Sequence, residues 1–448
     1  MILGMQTRLL IIPPLVALAL TMSGCGQSSD ESASTPSSSG TPTVTASKHD
    51  HDHEDEKGHD HDHEGEKGHD HEVPGDPKDK DAKEVGAREA RLALTHDGGI
   101  MIVNAETMDV IKDLPHSGKN LRLRETGDHR YLLVDSGKDL ETLDLGSWTQ
   151  AHGEHGHSKT KAPSLTGQKF TVKKAGHVSP NADHTLVFDD GDGSVDVFHT
   201  DDMFKDDAKP EKTVQLPPHH GNADMLEGGN IVHTVADKGH AHGIAIVDKT
   251  GKKISESTEC PGTHGAAVAK GGAMTFGCED GTLLVKGGEI TKIKAKDAFA
   301  RMGNQYGSEE SKYVFSDYKT SEKDLADQVA IVDTEAGTMK TVKLPSPYAW
   351  RGIEFTDEGQ GVVLTQDGNL HLINAEKASI EKTIKVLEPF KEPEQWEKPS
   401  PTVHAQGHWV YVTDPASKKL HAIETSVAKV MKTGDLPKAP NEIDGTLG

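Results

Sequence analysis

Eight of the chain's 27 histidines fall within 23 residues. They occupy a ten-residue unit, HDHDHEDEKG, HDHDHEGEKG, HDHE, twice complete and once partial, at His49, His51, His53, His59, His61, His63, His69 and His71. Imidazole is a borderline ligand suited to zinc, nickel and copper, and the alternating acids add oxygen donors and negative charge. No apolar side chain interrupts residues 49–72, so the run cannot fold around a core. Its ligands are expected to collect divalent metal in interchangeable arrangements with little geometric selectivity. A solvated spacer would have no use for imidazole. Zinc is the expected ion, with copper and nickel as the alternatives for the tail.

A second set of histidines is spread through the rest of the chain, in PHSG (His116), AGHVSP (His177), PPHHG (His219, His220), PGTHG (His264) and TVHAQ (His404). Side chains so far apart can meet only if the fold returns repeatedly to one axis. After Arg88 such a pattern exists: a short β-rich run ends near an Asp, a turn follows, and a second alternating run comes next. The marker residues are Asp97, Asp135, Asp190, Asp237, Asp280, Asp317, Asp367 and Asp414, spaced by 37 to 55 residues. A period of 40–50 with several strands per unit and no 3.6-residue periodicity signals a β-propeller. Eight units over residues 89–448 leave 45 residues each. The expectation is an all-β, eight-bladed propeller, the alternative being seven blades with one unit as an irregular insertion. The first unit lacks sequence for an innermost strand, so the segment around Asn441–Leu447 is expected to supply it.

Blade entries crowd the axis, which gives the second set its chemistry. His220 and His264 lie 17 and 16 residues before Asp237 and Asp280. That common register places both at one mouth of neighbouring blades. His177 lies 13 before Asp190, three or four positions short of that register; either a shorter turn absorbs the deficit or the period-2 strand leaves its facing undecided. His404 falls in a predicted inner strand, deeper or nearer the opposite end. His116, 19 residues before Asp135, and His219 complete the candidates. Two or three of these imidazoles, with a carboxylate such as Asp224 or with water, would make a tetrahedral zinc site. The alternative for each is a histidine that hydrogen-bonds backbone. The clusters His152/His155/His157 and His240/His242 read as loops, either weak secondary sites or solvated turns. Cys260 and Cys278 are expected to form a disulfide outside the cytoplasm, with cysteine ligation of zinc as the rival.

The address comes from the N-terminus. A 12-residue apolar run, LLIIPPLVALAL, contains Pro13 and Pro14 and is the length of a signal-peptide core, too short to span a bilayer. It leads to Met22-Ser23-Gly24-Cys25, which resembles the lipobox of bacterial lipoproteins, with Met22 where Leu is usual. The expected organisation is a lipoprotein signal peptide over 1–24, then a flexible Ser/Thr/Gly tether from the lipidated Cys25 over 25–48. A disordered metal-binding tail and linker over 49–88 and a propeller over 89–448 follow. Plain secretion or a periplasmic form is the alternative; the mature chain lies outside the cytoplasm in each case. The formal charge of −23 repels phosphate backbones and excludes a nucleic-acid partner.

The stretch PPHHG…GIAIVD…ECPGTHGAA…FGCEDG within residues 217–286 resembles the zinc metallochaperones of the AztD type, as do the His-rich tail and the eight units. The family are β-propellers that work beside a zinc ABC transporter and hand zinc to its solute-binding protein. The resemblance implies zinc binding at His220 and His264, extending to His177 and His404, together with a mobile His-rich segment. The lipobox and tether depart from a freely diffusing form and suggest a lipid-anchored version; the chain is expected to be a monomer. The last unit, VYVTDPASKKLHAIETSVAKVMKT, resembles YVTN-type repeats, whose propellers include enzymes. No nucleophile motif, phosphate-binding loop or paired Cys for a quinone cofactor is present, so the chain is read as no enzyme. A surface propeller for adhesion or metal storage is the remaining class.

Overall fold

The computed structural model describes residues 79–448 apart from 153–154, 182 and 324. The signal peptide, the tether and the His-rich repeat lie outside the described residues. All described residues belong to one compact unit.

The described chain is all-β, with eight four-stranded antiparallel sheets taken in sequence order. In each, the middle strands are the period-2 runs of the repeat, and burial on both faces selects their Leu, Ile, Val and Phe. In the first sheet Arg91–His96 is wholly buried and Gly99–Asn104 nearly so. Fourth strands are more open, as in Glu289–Lys294, where Glu289, Thr291 and Lys294 are exposed and Ile293 is buried. Eight hydrophobic clusters lie between consecutive sheets. Leu133 and Leu140 of the second sheet pack on Val187 and Phe198 of the third, and Leu186 and Phe188 of the third on Ala223 and Ile231 of the fourth. The last such cluster joins Tyr411 and Leu420 of the eighth sheet to Leu92 and Met101 of the first. The fold is propeller-like.

The C-terminal strand Ile443–Thr446 pairs with Arg91–His96, Leu94 opposite Ile443. It is the innermost strand of the first sheet, which ties the end of the chain to its beginning. Glu442 strengthens that seam by accepting from Arg122 Nε at 3.0 Å and Arg351 Nη2 at 3.1 Å.

Two expectations change. The segment read as disordered through residue 88 contains a strand, Lys83–Val85, paired with His155–Thr160. Asp79 just before it accepts two hydrogen bonds from the Arg130 guanidinium. The histidines at 152, 155 and 157 lie on strands rather than in a loop, since Ser147–His152 and His155–Thr160 form a hairpin. That hairpin is inserted in the second repeat, which explains why the interval from Asp135 to Asp190 is the longest. His240 and His242 likewise open the strand His240–Val247. Among the described residues, no helix is long and apolar enough to cross a membrane.

Candidate metal centre

Three first-strand entries converge. His177 lies in Ala175–Asn181 of the third sheet, His264 begins His264–Ala269 of the fifth, and His220 lies in the loop before Ala223–Met225 of the fourth. One ligand atom from each lies within 4.8 Å of the others. Ring centroids are 4.9 Å apart for His177–His220, 5.4 Å for His177–His264 and 5.1 Å for His220–His264. The register deficit of His177 is taken up in the hairpin. Asn181 and His184 are separated by a tight turn, whereas Met225 and Ile231 are bridged by a longer link containing Glu227–Gly229.

Local glycines let the backbone present these rings. Gly265 has φ of +69°, and strand pairing shifts register between His264 and Ala266. A β-bulge of this kind re-aims one side chain. A second shift spans His177, between Ala175 and Val178. A Cβ on Gly221 would come within 2.4 Å of the Phe188 ring and 2.7 Å of Thr234 Oγ1, so the residue after His220 has to be glycine. Upstream of His264, the Cys260–Cys278 disulfide is formed, and Thr263 Oγ1 donates to the Cys260 carbonyl at 2.7 Å. Closing a loop of this length stabilises the fold by about 3 kcal/mol and anchors the turn that carries His264.

Each ring is oriented through its Nδ1. His177 Nδ1 donates to the Gly221 carbonyl at 2.8 Å, His220 Nδ1 to Asp190 Oδ2 at 2.7 Å, and His264 Nδ1 to the Gly303 carbonyl. With every Nδ1 carrying the proton, the Nε2 atoms are left as lone-pair donors. His220 Nε2 and His264 Nε2 stand 3.1 Å apart. Two bare lone pairs repel at that distance, so the pair requires a shared proton or a cation between them. Outer acceptors that fix the tautomer and raise ring basicity are the usual support of metal-binding histidines.

The electrostatics favour the uncharged ring at His177 and at His264. Burial, then the facing rings of His220 and His264, push His177 down to about 3. Burial also lowers His264, against the pull of the Gly303 carbonyl. At Asp190 burial alone would raise the carboxyl, but the hydrogen bond and charge of His220, aided by Lys174, hold it below its ordinary value. Sequence reasoning used Asp190 as a repeat marker and missed this role. The signal was there, because TLVFDD doubles the Asp that ends the third unit's second strand.

The other candidates stand elsewhere. His116 pairs with Glu141 Oε2 at 3.4 Å and accepts from Gly118 N. His219 is buried, with Nδ1 on the Pro217 carbonyl and Nε2 2.8 Å from Thr234 Oγ1; both nitrogens are engaged, and burial lowers its pKa. Asp224 is buried, accepts from its neighbour's amide, Met225 N, at 2.9 Å, and is pushed up to about 7 by burial, so it is no ready counter-charge. His404 lies on Val403–Gln406 of the eighth sheet, bonded to Gln406. None of these four joins the triad. His157 Nδ1 lies 3.0 Å from Glu84, and His242 Nδ1 faces the His240 carbonyl.

Behind the triad lies a cavity of about 710 Å³ that His177 and His264 also line. Its wall carries Glu125, Glu354, Asp357, His404 and Asp444. Glu125 is exposed toward the cavity but surrounded by protein, and that enclosure, followed by the charge of Asp444, pushes it up to about 7. Burial takes Asp444 to about 7 as well and Glu354 well above its ordinary value.

The chain matches no family model. A curated protein, the zinc chaperone AztD of Citrobacter koseri, is 25% identical over 328 residues, covering 71% of this chain and 76% of that protein. This chain resembles AztD. The structure of apo AztD from the same organism superposes with a TM-score of 0.69 at 22% identity, covering 81% of this chain and 100% of that one. A further crystal structure of C. koseri AztD gives 0.68 at 22% identity, over 80% and 98%. The structural match supports the all-β, propeller-like fold. The absence of an enzymatic reading agrees with a relative named as a chaperone rather than an enzyme.

Proposed function

We propose that this chain is an extracytoplasmic zinc chaperone whose eight sheets form an eight-bladed propeller and whose propeller site is His177, His220 and His264. The observation that carries the reading is the arrangement of three Nε2 donors, each freed by an Nδ1–H bonded to a fixed acceptor. Three imidazoles leave the fourth tetrahedral position for water or for a ligand from another protein. An incomplete shell of this kind suits transfer, because a recipient ligand can enter before a chaperone ligand leaves.

In this account the eight tail histidines capture zinc and pass it to the triad. Tail and triad share one chain, so the effective concentration of one at the other is about millimolar. His220 is the exposed member of the three, which makes it the ring that a recipient meets and the first to let go. The recipient is the solute-binding protein of a zinc ABC transporter. Cys25 carries the lipid that keeps the protein at the cell membrane.

The test loads the full-length protein with one zinc per chain and mixes it with the metal-free solute-binding protein beside a competing chelator. Direct transfer is expected to outpace delivery from chelator-buffered zinc, and His220→Ala is expected to remove that advantage. Equal rates from protein and buffer would leave storage as the function.

A further inference from the structure

The geometry points to a second zinc site at the far end of the third sheet from the triad, with His184, His199 and Glu211 as ligands and Asp183 as the carboxylate behind His184. This goes beyond the proposed transfer function and holds whether or not the triad hands its zinc on.

Strand pairing gathers these residues. His184 opens the strand His184–Asp189, His199 closes its neighbour Ser194–His199, and the two are direct cross-strand partners. Partners of this kind hold their Cβ atoms about 5 Å apart. Asp183 stands just before the first of these strands, and Glu211 just before the fourth strand of the sheet, Lys212–Gln215. The other end of His184–Asp189 leads to Asp190, the acceptor for His220. Six extended residues, about 20 Å, separate His184 from Asp190, so an ion here shares no ligand with the triad.

Proton counting is the first reason. His184 Nδ1 lies 2.6 Å from Asp183 Oδ1, and its Nε2 lies 3.3 Å from Glu211 Oε2. A neutral imidazole carries one N–H, and the shorter contact claims it. Nε2 then turns a lone pair towards a carboxylate oxygen, a contact that needs a positive centre between the two atoms. Two ligand atoms on one tetrahedral zinc, each bonded at about 2.0–2.1 Å, also stand about 3.3 Å apart. A carboxylate that takes Nδ1–H and leaves Nε2 free is the usual support of a metal-binding histidine.

Ring spacing is the second reason. The centroids of His184 and His199 are 5.6 Å apart, close to the 5.4 Å of His177 and His264 in the triad. His199 Nδ1 is enclosed by protein, so the ring offers Nε2, which lies 3.6 Å from Asp183 Oδ2. Among the described residues the triad remains the tightest grouping of ligand atoms. The side chains of Asp183 and Glu211 are 66% and 53% exposed, so closing on an ion takes side-chain rotation and leaves the strands in place. Two imidazoles and one carboxylate, with water in the fourth position, suit zinc. Binding is expected to be weaker than at three prepared imidazoles.

The experiment uses the full-length chain with each tail histidine changed to glutamine, dialysed against buffered zinc and analysed for bound metal. Two zinc ions per chain are expected, the second at least tenfold weaker. His184→Ala with His199→Ala is expected to abolish the weaker ion alone. His220→Ala with His264→Ala is expected to abolish the tighter one alone, so the fates of the two sites are read separately. One ion in the parent, or two in the variant lacking His184 and His199, would overturn the second site. Because paired substitutions can compromise folding, crystals of the unsubstituted protein soaked in zinc give an independent answer. An anomalous peak between His184, His199 and Glu211 is expected, and a peak at the triad alone would refute the site.

Discussion

The imidazole triad and the cavity behind it share two wall residues, His177 and His264, yet enclosure acts on their ligands with opposite consequences. Burial favours the uncharged form of any titratable group. For His177, pushed to about 3, and for His264, also lowered, the uncharged form is the metal ligand. For Glu125 and Asp444, each pushed to about 7, the uncharged form is an acid with little affinity for a cation. The same protein wall thus readies one set of donors at neutral pH and holds back the other until protons leave. A cation reaching the triad meets prepared lone pairs, whereas one reaching the cavity must displace protons.

Removing a triad ligand gives the largest expected effect. In the full-length protein without tail histidines, His264→Ala is expected to weaken the tighter zinc by more than about 100-fold, beyond the range for losing an outer partner. Competition with a chromogenic chelator measures it. A loss below tenfold would mean that the tight site lies elsewhere and that the contrast between triad and cavity is misplaced.

Asp190 sharpens the comparison, because it is an acid outside the cavity that stays ionised. It orients His220 without belonging to the triad, so Asp190→Asn is expected to cost about tenfold in zinc affinity. Asparagine can still accept from Nδ1 but brings no charge, and Asp190→Ala should cost several-fold more. If both variants bind as tightly as the parent, His220 needs no positioning.

Acidification separates the triad from the tail. Zinc and protons compete for the same lone pairs, and a ring with a lowered pKa resists protonation to lower pH. An unperturbed imidazole titrates at about 6.5, so from pH 7.5 to 5.5 the unsubstituted chain should shed most of the zinc that the tail is proposed to bind. The tail-substituted chain should keep its tight zinc over that interval, as measured by metal retained after desalting. Stability moves the other way for metal-free protein. The lowered folded-state pKa values of His177 and His264 mean that the unfolded chain takes up protons first, so stability falls as pH drops below about 6.5. Parallel loss of zinc from both proteins would show that the rings are not held neutral.

Repeat architecture was legible because it is written in period-2 runs and regularly placed aspartates, which depend on local burial. The strand from Ile443 to Thr446 could be assigned to the first sheet for the same reason, as the innermost strand missing from its unit. His220 and His264 shared a register, and that register survives folding. Asp224 was a reasonable carboxylate from its place near His220, but strand Ala223–Met225 buries it, and the carboxylate that reaches His220 comes from the preceding sheet. Cross-sheet contacts of that kind depend on hairpin lengths and bulges, as at Gly265, and a linear pattern does not record them. Nor does it reveal that Glu125, Glu354 and Asp444, far apart in the sequence, line one cavity.

The smallest effect tests the cavity half of the comparison through stability. Asp444 has a folded-state pKa of about 7 against about 3.9 in an unfolded chain. Between those values the native state holds a proton that the unfolded state has lost, so its stability declines as pH rises through the window and the loss is complete above 7. Asp444→Asn cannot ionise, and its Oδ1 can still accept from Gly445 N, as Asp444 does at 2.7 Å. Relative to the parent, metal-free Asp444→Asn should therefore gain about 1–2 kcal/mol at pH 8. That figure discounts the full shift because cavity water screens the charge. At pH 4 the gain should nearly vanish, since both side chains are then uncharged in the folded state. Urea unfolding at the two pH values reads the difference directly. A gain of equal size at both pH values would mean that packing, and not a suppressed ionisation, governs this position.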